Sequence, residues 1–146
     1  MGRIMLSKNF SLEELTRSYQ AEKHGIVNKP TEKDIESLRH LCEKVLQPLR
    51  NFYQRPISIS SGFRCKSLNK IVGGTPSSQH LRGEAVDLIF PNLWVALEWI
   101  KFISNACPFD QLLLERKART GATWLHVSCC MDERKNRRQI KLLQVR

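Results

Sequence analysis

Two histidines and one aspartate stand out in this chain because their neighbours are apolar. His80 lies in Ser77-Ser78-Gln79-His80-Leu81-Arg82-Gly83-Glu84-Ala85-Val86-Asp87, which reads as a turn at Gly83 leading into a strand. On that strand Ala85, Asp87 and Ile89 share one face, and Asp87 is flanked by Val86 and Leu88. His126 repeats the pattern within Trp124-Leu125-His126-Val127, on the same face as Trp124 and Ser128. Burying a lone carboxylate is costly, so Asp87 needs a cation, a cluster of donors or a metal. Two histidines and an aspartate on strand positions are the ligand types and number of a catalytic zinc. Three protein ligands leave a fourth position for water, whose pKa the metal lowers toward about 7. The same residues also suit hydrogen-bonded polar groups in a core, and His-x6-Asp with a distant His is not a regular metal signature. His24 and His40 sit among polar residues of helical segments and read as solvated surface histidines. Cys129 and Cys130 follow the His126 strand and raise a Cys–His nucleophile. Neighbouring strand side chains point to opposite faces, however, and no Asn or Asp partner is evident, which argues against it.

These residues need elements to position them. Asn9 or Ser11 caps a first helix, with Phe10 stapled to Leu15, and this helix fades near Gly25. Thr31 and Asp34 form a capping-box-like pair at the start of a second helix. Ile35, Leu38, Leu41, Cys42, Val45, Leu46 and Leu49 give it one apolar face over about 15–18 residues, with Pro48 near its end. From Pro56 to Gly62 the period changes to a strand, followed by a loop from Phe63 to Arg82 that is long enough to be functional. Glu84–Phe90 is strand-like, and Leu93–Ile103 reads as a third helix whose Trp94 and Trp99, with Phe102, are expected in the core. Phe109–Glu115 and Thr123–Ser128 form an antiparallel hairpin through Arg116–Ala122, and a last strand runs from Gln139 to Val145. Helices first and strands afterwards, with no repeat or linker, predict one α+β domain over residues 1–146.

Composition narrows the class. The chain has 146 residues, 41% hydrophobic and 26% charged, with 7 Gly and 6 Pro, which excludes disorder and low-complexity arrays. No apolar run approaches the roughly 20 residues that span a bilayer, so no membrane role is expected. Lys and Arg number 24 against 14 Asp and Glu, a formal charge of +10 that calls for an acidic partner such as nucleic acid, anionic lipid or a polyanionic cell wall. The basic cluster Arg116, Lys117, Arg119, Arg134, Lys135, Arg137 and Arg138 falls on predicted turns and suits anionic wall polymers. Five cysteines, two of them adjacent and none in CxxC spacing, make neither a disulfide framework nor a cysteine zinc site. They read as buried thiols from a reducing compartment. The N-terminus lacks the apolar core of a secretory signal, so cytoplasmic synthesis is expected.

Four blocks in order carry a resemblance: Ser60-Ser61-Gly62-Phe63-Arg64, Asn69-Lys70-Ile71-Val72-Gly73-Gly74, Ser78-Gln79-His80-Leu81-Arg82-Gly83-Glu84-Ala85-Val86-Asp87 and Trp124-Leu125-His126-Val127-Ser128. Together they resemble the zinc D-alanyl-D-alanine carboxypeptidase family, which includes peptidoglycan endopeptidases of phage lysins and shares its core with the Hedgehog signalling domain. The likeness runs from about Phe10 to Ser128. It implies N-terminal helices packed on a small, mainly antiparallel sheet, with zinc at His80, Asp87 and His126 and peptidoglycan stem peptides as substrate. It also implies that Arg64 stabilises a substrate carbonyl or carboxylate, a role suited to a planar guanidinium, and that Ser78 hydrogen-bonds near the site. Many relatives place a glutamate three residues before the last histidine, where this chain has Thr123. Peptide hydrolysis needs a general base. If the hairpin pairs as expected, Glu115 lies directly or diagonally across from His126 on the same face, which makes it the first candidate and Asp110 the second. Family likeness further implies a phage or prophage enzyme acting on the cell wall. The missing glutamate keeps open a zinc-containing wall-binding module without activity, and a basic nucleic-acid-binding domain is the remaining, less favoured alternative.

Overall fold

Ser11 starts the first helix as expected, but the helix is short. In the computed structural model, which describes residues 2–146, Ser11 caps α1 (Leu12–Thr16) in a capping box with Glu14. Phe10 and Leu15 are both fully buried on either side of the cap. A second cap then interrupts the helix: the Ser18 hydroxyl accepts from the Ala21 N–H and restarts the chain as α2 (Tyr19–Lys23). Ahead of α1, β1 (Met5–Ser7) pairs antiparallel with β2 (Phe10–Ser11), a ribbon the apolar pattern does not announce.

Thr31 and Asp34 cap α3 (Glu32–Leu41) reciprocally, as their spacing predicts. The helix runs further than expected, through a π-helical turn at Cys42–Leu46 into α4 (Gln47–Tyr53). Pro48 does not end it. The Gln47 N–H reaches back five residues to the Cys42 carbonyl, and this widened turn gives the proline ring, which has no N–H to place, room to continue. Leu38, Leu41, Cys42, Val45, Leu46 and Leu49 are all fully buried along the expected face.

The main sheet has the order β3 (Ser58–Ser61), β4 (Ala85–Ile89), β6 (Thr123–Ser128), β5 (Gln111–Lys117), β7 (Gln139–Val145). All neighbours are antiparallel except β5 and β7. Alternation divides its two faces. Val86, Val127 and Leu112 form one row across β4, β6 and β5 and join the core with Trp99 and Ile103 of α6 (Leu93–Ala106). Asp87, His126 and Leu113 form the next row, facing the other way. This is the α+β fold read from the sequence, with helices packed on a small, mainly antiparallel sheet.

Three details differ from expectation. Trp94 is 72% exposed, whereas Trp99 is buried; five residues turn a helix by about 140°, so the two cannot share one narrow face. The long connection before β4 is partly ordered, carrying α5 (Lys66–Ile71) and a 3₁₀ turn at Gln79–Arg82. His80 therefore stands on that turn and not on a strand. Gly83 closes the turn at φ +72°, close enough to α3 that a Cβ would strike the Asp34 carbonyl.

Candidate metal centre

The antiparallel register puts Asp87 of β4 opposite His126 of β6, and His126 opposite Leu113 of β5. Glu115, two residues beyond Leu113, therefore lies diagonal to His126 on the same face, as strand alternation predicts. His80 reaches them from the 3₁₀ turn. Ser78 caps that turn by accepting from the His80 N–H at 3.2 Å, and the Arg64 N–H bonds the His80 carbonyl at 3.0 Å.

One contact sets the chemistry of the His80 ring. Its Nδ1 lies 2.7 Å from the Gly62 carbonyl, which can only accept, so Nδ1 carries the proton. In the neutral ring Nε2 is then a bare acceptor, yet it faces Asp87 Oδ1 at 3.5 Å. His126 Nδ1 approaches the same oxygen at 3.1 Å. Two imidazole nitrogens converging on a carboxylate make a place for a cation. The three donor atoms lie within 4.8 Å of one another. Ligands about 2.0–2.1 Å from a tetrahedral zinc stand roughly 3.3 Å apart, close to the 3.1 and 3.5 Å seen. His80, Asp87 and His126 thus fit a metal ion, and the His80 bond to Gly62 is the outer hydrogen bond that ligating histidines use to fix their tautomer.

The surroundings agree. Burial alone would raise the Asp87 carboxyl; with the imidazoles protonated, the charge of His80 and the hydrogen bonds from both rings hold it far below the usual carboxylate range, a role that a cation would take over between neutral rings and the carboxylate. Arg64 supports it from behind: Nη2 donates to Asp87 Oδ2 at 3.3 Å, Nε to Ser61 Oγ at 2.9 Å and Nη1 to Asn69 Oδ1 at 3.2 Å. Burial pulls the Arg64 pKa down, opposed by Asp87 and Glu115. Glu115 Oε1 lies 3.9 Å from His126 Nδ1. Burial chiefly raises its pKa; His126 opposes this and Asp87 adds to it. These residues line a cleft of about 730 Å³.

Other candidates find different places. Asp110 is committed elsewhere, its oxygens taking the Arg137 N–H, Nε and Nη2 at 2.7, 3.0 and 2.6 Å, so it is not a free base. Ser78 lines the cleft, but its observed bond is the turn cap. His24 is exposed, whereas His40 is largely covered and bonds Glu133 at 2.8 Å instead of facing solvent. Burial pushes the Cys129 thiol up to about 12, which removes it as a nucleophile. Sequence reading missed Asn69 and Asn28. The latter clamps α1 to the Phe63–Cys65 segment through the Thr16 carbonyl, the Phe63 carbonyl and the Cys65 N–H. Asn28 carries no local signal because its partners lie 12 to 37 residues away, whereas Asn69 bonds close by in the chain, accepting from Arg64 Nη1 and donating to the Thr75 carbonyl.

The family model described as Peptidase M15 matches residues 8–128. The chain belongs to the Peptidase M15 family. The match takes in every residue of the centre and leaves β7 and the basic turn before it outside. This M15 peptidase is accordingly a hydrolase, and members of its family are zinc-dependent in general. No curated protein matches the chain. Among the described residues, no helix of this M15 peptidase is long and apolar enough to cross a membrane.

Proposed function

We propose that this M15 peptidase hydrolyses peptide bonds in the stem peptides of peptidoglycan, as a D-Ala-D-Ala carboxypeptidase or an endopeptidase, with zinc held by His80, Asp87 and His126. The observation that carries the reading is the convergence of those three donors beside a half-buried glutamate. When bound, zinc supplies Lewis acidity toward the scissile carbonyl and the attacking water. Glu115 takes a proton from that water and returns it to the leaving amine, and its raised pKa suits both transfers. Arg64 holds Asp87 in place and keeps two N–H donors beyond its three bonds to meet substrate oxygen. Ser78 offers its hydroxyl proton at the cleft wall. Lys117, Arg119 and Lys135 are exposed and without a side-chain partner among the described residues, free to attract anionic wall polymers; Arg116, Arg134 and Arg138 are also exposed but bond Gln144, Asp132 and the Cys107 and Ser104 carbonyls. The family likeness supports action on the wall as a phage or prophage enzyme.

Thr123, where many relatives have glutamate, favours a second reading, a zinc-containing wall-binding module. Metal analysis with mass spectrometry of digested peptidoglycan separates the two. Cleavage that stops with chelator and with Glu115→Gln is expected. Bound zinc with no bond cut identifies the binder, and digestion untouched by chelator defeats the metal mechanism.

A further inference from the structure

The cleft contains a charged pair that the proposed reaction leaves unused. The Asp110 side chain is 1% exposed, and Arg137 covers it with three N–H donors. This grip occupies one edge of the guanidinium; Nη1 and one Nη2 proton have no partner among the described residues. The Arg137 side chain is 53% exposed and lines the cleft. A surface arginine ordinarily loses rotamer freedom when it binds an anion. Here Asp110 has already fixed it on folding.

The pair and the metal centre line one cleft, and the register sets how far apart they stand along the strand. Asp110 precedes Leu113, the residue facing His126, by three positions, or roughly 10 Å along the sheet. Gln79, adjacent in sequence to His80, lines the same cleft and reaches Cys130 Sγ at 3.7 Å, tying the His80 turn to the end of β6, where the Asp110 N–H bonds the Ser128 carbonyl. Arg137 and Asp110 neutralise each other, so the attraction here comes from oriented donors. Lys135, exposed on the same rim and without an acidic partner among the described residues, adds unbalanced positive charge.

Resting on the peptidase reading, we infer that Arg137, aligned by Asp110, is a carboxylate-binding subsite at the end of the cleft. It receives an acidic group of the substrate roughly 10 Å, or about three extended residues, from the scissile bond. The family match ends at residue 128, so Asp110 lies within it and Arg137 beyond it.

The test compares two synthetic stem peptides that differ in one carboxylate, free or amidated, three residues from the bond cut. The wild-type enzyme is expected to cleave the acid with a KM about tenfold lower than the amide, as for one charged bidentate contact. Arg137→Gln should bring the two KM values within about twofold. Because that variant leaves Asp110 buried without its cation, the Asp110→Asn/Arg137→Gln double variant, which exchanges the ion pair for an amide pair, is measured beside it with its melting temperature. Loss of the acid preference in the folded double variant supports the subsite; an undiminished preference overturns it. If the wild type cuts neither peptide, the peptidase reading fails. Calorimetric affinities of the same peptides for wild type and double variant then decide the subsite separately: a tenfold acid preference lost in the variant supports it, and equal affinities overturn it.

Discussion

Asp87 and Asp110 both lie buried along one cleft and both meet an arginine, Arg64 at 3.3 Å and Arg137 at 2.6 Å. Asp110 is saturated by one guanidinium and a backbone N–H from the same residue. Asp87 has a single arginine donor on Oδ2, while Oδ1 faces two imidazole nitrogens. Both carboxyls titrate below the ordinary range. For each, burial works against the shift; His80 and His126 overcome it at Asp87 only when they carry protons, and Arg137, always charged, overcomes it at Asp110. The direction of a pKa shift therefore does not separate a ligand from a strut. What separates them is whether the partners are donors with protons to give or acceptors that need a cation between them.

The comparison breaks most visibly at Asp87. Asp87→Asn is expected to abolish stoichiometric zinc, measured by elemental analysis, and to lower peptidase activity by about 10⁴-fold or more, as chelation of the wild type should. Asp110→Asn should keep its zinc; losing it would erase the distinction. Glu115→Gln should reduce kcat by about 10³-fold with zinc content unchanged, since only a proton carrier is removed. Arg64→Gln should weaken zinc affinity by about 10–100-fold in a competition titration, the usual cost of losing an outer partner of a ligand. Asp110 gives the smallest effect, in stability. Its pKa is depressed in the folded state, so its contribution is present above the ordinary aspartate value near 4 and is lost as pH falls through the lower folded value. Urea unfolding should show Asp110→Asn about 1–2 kcal/mol less stable than wild type at pH 7, with the gap closing at low pH.

Much of the centre was legible because its geometry is local to paired strands. Alternation put Asp87 on a face with Ala85 and Ile89 and His126 on a face with Trp124 and Ser128, the expected hairpin put Glu115 directly or diagonally across from His126, and the register makes it the diagonal. His80 stood out through its motif but not as a residue of a 3₁₀ turn, because Ser78 and Gly83 shape that turn through a side-chain cap and a contact with α3. The first helix broke where Ser18 offered the backbone an alternative acceptor, a local competition that a helical apolar pattern does not report. Trp94 was misplaced because helical periodicity shows that an apolar face exists without showing where it ends. The Asp110–Arg137 pair was hidden for another reason: the chain between them leaves the sheet and returns as β7, parallel to β5, so their meeting depends on topology and not on spacing.

Gly62 joins the two ends of this molecule. Its carbonyl holds the His80 ring, while its Cα presses so closely on α1 that any Cβ would run into the Leu15 carbonyl oxygen, and the next residue, Phe63, donates its N–H to that same oxygen at 2.8 Å. The imidazole thus inherits its orientation from the opening stretch of the polypeptide. A chain shortened past Leu15 would retain all three residues of the proposed centre yet lose the brace that aims one of them, so ion affinity at that centre would also gauge whether the beginning of the chain has docked.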